Sequence, residues 1–230
     1  MTTVLFWDID GTLLTTARAG IHAWEEGVAE LLGKPVDLSE FQTAGLTDVE
    51  IARRLAATHG LGAAGADGLL RNYERRLPEC LGRRSGTVLP NVLPILERLR
   101  GRPDVYSALL TGNTRSGAAA KLRHYGLARF FEGGAFADGT NDRASIARTA
   151  LAQAREIVGT VSPEEVYVIG DTPHDVACGK AIGARVVAVA TGGYTLEQLR
   201  ATDPWWLLPS LPEPDQFLAR LGLSPSLESV

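Results

Sequence analysis

The sequence of 230 residues predicts an α/β fold built on a doubly wound parallel sheet. Two observations predict it: short apolar runs, each followed by a glycine-containing loop, and the helical patterns that separate them. The apolar runs span residues 4–9, 105–110, 166–169 and 185–190. None of them shows strict alternation of polar and apolar positions, which is typical of strands buried on both faces of a sheet.

Residues 14–86 interrupt this alternation, because they contain no good strand pattern. Helical patterns occupy residues 21–32, 48–58 and 66–81 instead, and stretches rich in glycine separate them. The segment therefore predicts a helical insertion directly after the first strand. A core made of residues 1–13 and 87–230 would then surround an inserted domain of residues 14–86.

Further elements are expected after the insertion. Helices are predicted at residues 92–99, 118–125, 144–158 and 215–221, and an edge strand is predicted at residues 205–208. Ser162-Pro163-Glu164-Glu165 matches a capping box with proline at the first helical position and predicts a helix start there. Trp205 and Trp206 are interpreted as packing residues.

Composition excludes several classes of protein. The net charge is −4 and no basic run occurs, so we expect no nucleic-acid partner. Cys80 and Cys178 lack metal-binding spacing and are expected to be reduced thiols. No apolar run approaches the roughly 18 residues that span a bilayer, and the first strand begins too early for a signal peptide. We therefore expect a cytoplasmic protein without a membrane partner.

The most informative motif is Asp8-Ile9-Asp10-Gly11-Thr12, directly behind the first strand. Asp8 and Asp10 are two residues apart, so their side chains leave an extended chain on the same face. Gly11 permits a sharp exit from the strand. Open α/β sheets bind ligands at the carboxyl ends of their strands, so a site is predicted here, with a simple acidic turn as the alternative.

The loops after two further strands carry polar groups. One of these loops could bind an anion, and the other could bind a cation. Thr111-Gly112-Asn113 offers a hydroxyl and backbone N–H groups to phosphate oxygens, although it is also a plain turn sequence. Asp171 and Asp175 are four residues apart, so one helical turn would bring them to the same side. The alternative for this pair is a helix cap.

A cation is expected from Arg143, at the start of a long helix where the helix N-terminus also favours an anion. Lys121 and Arg123 lie in an amphipathic helix and are expected on its solvated face. Acidic side chains so close together would repel one another without a cation among them. Magnesium fits, because it prefers hard oxygen ligands and substrate phosphate. Asp8, Asp10, Asp171 and Asp175 are the candidate metal-binding residues.

These motifs resemble those of the haloacid dehalogenase-like hydrolase superfamily, over the whole length of the chain. The resemblance implies a Rossmann-like parallel-sheet core with an inserted α-helical cap domain. It also implies roles: Asp8 as the nucleophile that forms an aspartyl-phosphate, Asp10 as general acid and base with its carbonyl on the metal, and Thr111 as a phosphate ligand. Asp171 would ligate Mg²⁺, with Asp175 in or just behind that set of ligands.

The third motif departs from the family pattern, which usually has lysine where this chain has Arg143. Arginine keeps the charge but cannot make the same point contact. Arg148, one helical turn further on, is the alternative cation. Gly112 and Asn113 complete the predicted phosphate-binding loop.

The second acidic residue selects among the reactions of the family. Members that attack carbon generally lack an equivalent of Asp10, so its presence favours phosphoryl transfer. Related sugar-phosphate mutases place a histidine where this chain has Gly20, with His22 two residues further on. The resemblance thus implies a phosphoric monoester hydrolase, similar to phosphoglycolate phosphatases and acting on a small phosphorylated metabolite. A mutase and an inactive phosphate-binding module are the alternatives.

Leaving-group selection is expected from the insertion. The loop Gly45-Leu46-Thr47-Asp48 is the best candidate to reach the site, and Thr47 is the predicted substrate contact. A Thr/Asp helix cap explains the same residues equally well. Arg18 and His22 are weaker candidates. A monomer or a homodimer is expected.

Overall fold

The computed structural model describes residues 2–140 and 142–223, and it confirms the predicted α/β class. The strands in chain order are β1 (Thr3–Trp7), β2 (Leu14–Thr15), β3 (Thr87–Val88), β4 (Val105–Leu110), β5 (Gly134–Ala135), β6 (Val166–Gly170), β7 (Arg185–Val189) and β8 (Trp206–Leu208). Six of them form one parallel sheet in the order β5-β4-β1-β6-β7-β8. The first strand therefore lies inside the sheet, between β4 and β6.

Helices lie between most of these strands, and one helix follows the last strand. They are α1 (Ala19–Leu32), α2 (Asp48–Thr58), α3 (Gly62–Gly82), α4 (Val92–Leu99), α5 (Arg115–His124), α6 (Arg143–Val158), α7 (Pro173–Ala181), α8 (Leu196–Arg200) and α9 (Pro214–Arg220). The predicted helices of the insertion, at residues 21–32, 48–58 and 66–81, correspond to α1, α2 and α3 within a few residues.

The sheet is covered on both faces, which explains why its strands are apolar throughout. Leu5 and Trp7 of β1 face a core that includes residues of α4, α5 and α9. Val4 and Phe6 face the opposite core, which includes residues of α6, α7 and α8. Because successive side chains of a strand point to opposite faces, both sets must be apolar.

Helices α1, α2 and α3 share a third hydrophobic cluster, which also includes Ala120 of α5. At its centre, Trp24 of α1 stacks on Tyr73 of α3 with ring centroids 4.0 Å apart. The chain enters this helical segment through β2 and leaves it through β3. These two strands pair with each other as an antiparallel ribbon of two residues each. Such short strands carry no readable alternation, and so the sequence pattern did not predict them.

Of the predictions for single residues and short segments, some are confirmed and others are wrong. The capping box expected at Ser162 is wrong: the segment forms only a three-residue 3₁₀ helix, and Ser162 makes no capping bond. Its glutamates are followed at once by β6, which leaves no room for an α-helix. Cys80 and Cys178 are free and buried, as expected. Trp206 stacks on Phe217, as a packing residue should. Within the described ranges, no helix is long and apolar enough to span a membrane.

Candidate active site

The predicted site residues meet at the carboxyl ends of the three adjacent strands β4, β1 and β6. Asp8 follows β1, Thr111 follows β4 and Asp171 follows β6. The backbone N–H of Asp8 donates to the carbonyl of Ile169 at 3.0 Å, which continues the pairing of β1 with β6 beyond the strand. The sheet therefore fixes the spacing of these side chains.

Gly11 makes the sharp exit from β1 that the sequence predicts. Its φ is +80°, in the left-handed region that favours glycine. A Cβ atom at this position would lie 2.5 Å from Oδ2 of Asp171. Glycine is thus needed here both for the turn and for the close approach of the β6 loop.

Asp8, Asp171 and Asp175 form a buried cluster of carboxylates. Each offers an oxygen atom within 4.8 Å of the others. Burial, followed by the charge of Asp175, raises the pKa of Asp8 to about 7. Burial and the charges of Asp175 and Asp8 raise the pKa of Asp171 to about 9. Three acids held this close favour a divalent cation between them.

Arg143 supplies the predicted cation, and it contacts Asp175 directly. Its side chain is 12% exposed, and Asp175 with Asp8 raises the arginine pKa although burial opposes this. Nη1 also donates to the carbonyl of Gly45 at 3.4 Å. Gly112 leaves room for this guanidinium, because a Cβ atom there would lie 2.6 Å from Nη1. The alternative cation, Arg148, is exposed and pairs with Asp142 instead.

Asp175 is also the third helical residue of α7 and completes a capping box with Thr172. Its Oδ2 accepts from the backbone N–H of Thr172 at 3.0 Å and from the hydroxyl at 2.7 Å. The helix-cap interpretation of this acid is therefore confirmed together with its place in the carboxylate cluster. Both of its oxygens are already bound, one by Arg143 and one by Thr172.

Asp10 lies apart from the cluster and has a different cation. The prediction that Lys121 is a solvated surface residue is wrong: its side chain is only 5% exposed. Its Nζ donates to Oδ2 of Asp10 and to Oδ1 of Asn113, both at 2.5 Å. Arg123, two residues further along α5, is exposed as expected. The amide of Asn113 also donates to Oδ2 of Asp10, at 2.9 Å.

Helical periodicity could not reveal this role of Lys121, because its partner Asp10 is 111 residues away in the sequence. Composition did not identify Lys121 either. The chain uses arginine for almost every basic position, and its lysines are only Lys34, Lys121 and Lys180. Lys180 also lies in a helix, α7, yet its side chain is 51% exposed, so the scarcity of lysine does not by itself mark a buried one.

The site opens into a cavity of about 470 Å³ between the sheet and the helical insertion. The residues outside the insertion that line it include Asp8, Asp10, Gly112, Asn113, Lys121, Arg143 and Asp171. Arg18, Ile21, Phe41 and Leu46 are among the insertion residues that line the rest. Thr111 and Asp175 lie behind this wall, where a hydrogen bond from Thr111 lowers the pKa of Asp8 against the effect of burial.

The insertion contacts the loop after β4 directly. The backbone N–H of Asp48 donates to the carbonyl of Gly112 at 2.8 Å, and Oδ2 of Asp48 accepts from the N–H of Thr114 at 2.8 Å. The Thr114 hydroxyl donates to Glu74 of α3 at 2.6 Å. Burial raises the pKa of Asp48 to about 7, although Lys121 opposes this. The loop Gly45–Asp48 thus reaches the site, as expected.

Thr47 itself caps α2, since its hydroxyl accepts from the N–H of Glu50 at 3.1 Å. The helix-cap interpretation is therefore confirmed, and a contact between Thr47 and substrate stays a prediction. His22 contacts Glu25 and Arg84 and does not line the cavity. Arg18 lines it at an exposed position and donates to the carbonyl of Ser39 at 3.1 Å.

Comparison with known proteins identifies the family of the chain. The family model of the haloacid dehalogenase-like hydrolases matches residues 2–183. A protein named tyrosine-protein kinase PtkA from Mycobacterium tuberculosis is 28% identical over 195 residues, which cover 82% of this chain and 62% of that protein. This chain thus spans about three fifths of the length of the curated relatives that it matches.

Solved structures show the same fold. The crystal structure of a predicted phosphoglycolate phosphatase from Haemophilus somnus superposes with a TM-score of 0.74 at 16% identity, covering 95% of this chain and 98% of that one. CbbY from Rhodobacter sphaeroides, in complex with phosphate, gives 0.72 at 20% identity, covering 91% and 95%. Because the family model covers most of the chain, this chain belongs to the haloacid dehalogenase-like hydrolases.

Proposed function

We propose that the chain is a magnesium-dependent phosphatase that hydrolyses a small phosphomonoester through an aspartyl-phosphate at Asp8. The observation that carries this proposal is the separation of the two leading acids. Asp8 lies in the buried carboxylate cluster beside Arg143, whereas Asp10 is held outside it by Lys121 and Asn113. This separation supports a role for Asp8 at the phosphoryl group and a role for Asp10 in proton exchange.

The donor set fits Mg²⁺. Asp8 and Asp171 offer carboxylate oxygens within 4.8 Å of each other, and burial raises the pKa of both. A bound cation would offset the cost of holding these two charges in a buried site. Asp175, whose oxygens bind Arg143 and Thr172, would complete the set or orient its members. The metal, when bound, would neutralise charge on the phosphate oxygens.

The chain's own residues account for the remaining chemistry. The carboxylate of Asp8 attacks phosphorus, the bond to the leaving oxygen breaks, and Asp10 gives that oxygen a proton. Asp10, now a carboxylate, takes a proton from water as this water attacks the aspartyl-phosphate. The electron pair of the broken P–O bond returns to Asp8. Arg143, Thr111 and the N–H groups around Gly112 would hold the phosphate oxygens meanwhile.

The helical segment of residues 14–86 would act as a cap over this reaction. Its contacts with the β4 loop, through Asp48 and Glu74, support a position in which the insertion is docked over the cavity. Closing such a cavity excludes bulk water from the transfer. The insertion residues that line the cavity would select the leaving group.

A specific observation favours hydrolysis over the mutase alternative. The position at which related mutases carry a histidine is Gly20, which lines the cavity and has no side chain to exchange a proton. His22 is turned toward Glu25 and Arg84. An inactive phosphate-binding module remains the other alternative, which the intact pair Asp8 and Asp10 argues against.

A screen of phosphomonoesters with Mg²⁺ tests the proposal. Sugar phosphates, phosphoglycolate and p-nitrophenyl phosphate belong in it, together with phosphotyrosine, because a similar mycobacterial protein is named a tyrosine kinase. We expect phosphate release that EDTA abolishes and that Asp8→Asn lowers by at least about 10³-fold. Release from none of these substrates, or equal rates for wild type and Asp8→Asn, would contradict it.

A further inference from the structure

Lys121 belongs to none of the motifs that the proposed function uses, yet it is one of the most buried charged side chains near the site. Together with Asp10 and Asn113 it forms a closed ring of three hydrogen bonds. The amide of Asn113 also donates to the Thr111 hydroxyl at 3.1 Å, which ties the ring to the loop after β4.

The two charged members of the ring differ in exposure. The side chain of Lys121 is 5% exposed, whereas that of Asp10 is 40% exposed and faces the cavity. Burying an ammonium group costs free energy unless a partner compensates it. Lys121 compensates its burial by donating to Asp10 and Asn113, and the exposed part of the Asp10 carboxylate stays open to the cavity.

The geometry also selects one oxygen atom of Asp10. Both Lys121 and Asn113 donate to Oδ2, and Oδ1 takes part in neither bond. Two donors on one oxygen fix the rotation of the carboxyl group. Its free oxygen is then the one that can reach a substrate atom in the cavity.

We infer that Lys121 is a positioning residue that, with Asn113, aims Oδ1 of Asp10 at the leaving oxygen of the substrate. This inference rests on the proposed function. In that step the P–O bond to the leaving group breaks, its electron pair stays on the leaving oxygen, and the proton of Asp10 goes to this oxygen. The carboxylate that results is the form that two donors on Oδ2 stabilise.

The chain would then provide one cation for each acid of the opening motif. Arg143 contacts Asp175 and acts electrostatically on Asp8, at the phosphoryl end. Lys121 contacts Asp10, at the leaving-group end, and Asp48 of the insertion and Asp8 are the other acids whose charges act on it. A purely structural lysine would only balance these buried acids, and the experiment below separates the two roles.

The test compares Lys121→Met with wild type on two substrates, p-nitrophenyl phosphate and a simple alkyl phosphate. Nitrophenolate leaves without a proton, whereas an alkoxide needs one, so only the alkyl ester depends strongly on Asp10 in kcat/KM. We expect kcat/KM for the alkyl phosphate to fall about 10- to 100-fold more than for the aryl phosphate. Arg123→Met, an exposed change on the same helix, should leave both values unchanged.

Two additions keep the test decisive. If Lys121→Met does not fold, Lys121→Gln takes its place, because glutamine retains a hydrogen-bond donor. This variant should show the same selective loss of kcat/KM for the alkyl phosphate, but a smaller one. In an Asp10→Asn background, Lys121→Met should change kcat/KM little, because the group it acts through is already neutral.

Equal losses on both substrates, or no loss, would overturn the positioning role and leave the proposed function intact. A wild-type protein inactive on every phosphomonoester would instead contradict the proposed function, and this inference with it.

Discussion

Asp8 and Asp10 are separated by one residue, yet they lie in opposite surroundings. Asp8 is buried beside Asp171 and Asp175, and its pKa is raised to about 7. Asp10 has a side chain that is 40% exposed, and a buried lysine contacts it. The strands and helices that approach each of these two identical side chains therefore set its surroundings, and the motif that they share does not.

The largest expected difference between the two surroundings concerns Arg143. Because this guanidinium serves the phosphoryl end, Arg143→Met should lower kcat/KM by about 10²- to 10³-fold on aryl and alkyl phosphates alike. Arg143→Lys should recover part of the loss, since it keeps the charge but not the fork of donors. Steady-state kinetics on both esters measure this. A loss confined to alkyl phosphates would place Arg143 at the leaving-group end and remove the distinction.

The two acidic surroundings should also differ in how they affect the free energy of unfolding when no metal is bound. Asp171 has its pKa raised to about 9 in the folded state, so its contribution to stability is fully present below the unfolded pKa and is lost as the pH rises. Asp171→Asn should therefore raise the free energy of unfolding at pH 8 by on the order of 2 kcal/mol and change it little near pH 4. Asp10→Asn should give no gain, because it takes a charge partner from Lys121.

Urea denaturation in EDTA at both pH values checks this pair of expectations. With Mg²⁺ present, the advantage of Asp171→Asn should shrink, because a ligand to the ion has been removed. Were Asp171→Asn less stable than wild type at pH 8 without metal, the carboxylate cluster would not be a source of repulsion.

The smallest expected effect concerns the contact between the insertion and the β4 loop, on the Asp10 side. Asp48→Ala leaves the N–H of Thr114 without its acceptor and should raise KM a few-fold by loosening the docked insertion. Asp48→Asn keeps an acceptor oxygen and should remain close to wild type. Substrate titration of both variants measures this. Equal KM values for alanine and wild type would mean that this hydrogen bond does not hold the insertion in place.

Much of the fold could be predicted from the sequence because its determinants are local. Buried strands such as β1 and β6 are apolar runs, and α2 begins at a threonine cap. Strands of two residues, such as β2 and β5, carry too few side chains to form a pattern. The short segment after Ser162 looks like a helix start, but the beginning of β6 leaves it only three residues.

The site could be predicted only in part. Asp8, Thr111 and Asp171 each follow a strand, so the parallel sheet alone brings them together. Lys121 was missed because its position depends on how α5 packs beneath the β1 loop, and the periodicity of α5 gives no information about a partner 111 residues away. The same packing makes Asn113 a partner of Asp10, where its sequence context indicates a phosphate ligand.

Trapping of the phosphoenzyme tests whether Asp8 is the nucleophile and Asp10 the proton carrier. Asp10→Asn is incubated with Mg²⁺ and p-nitrophenyl phosphate, whose leaving group needs no proton, and then quenched in acid for peptide mass spectrometry. We expect an acyl phosphate on the peptide that contains Asp8, and none in the Asp8→Asn, Asp10→Asn double variant. Absence of this phosphate on Asp8, or phosphate on any other residue, would contradict it.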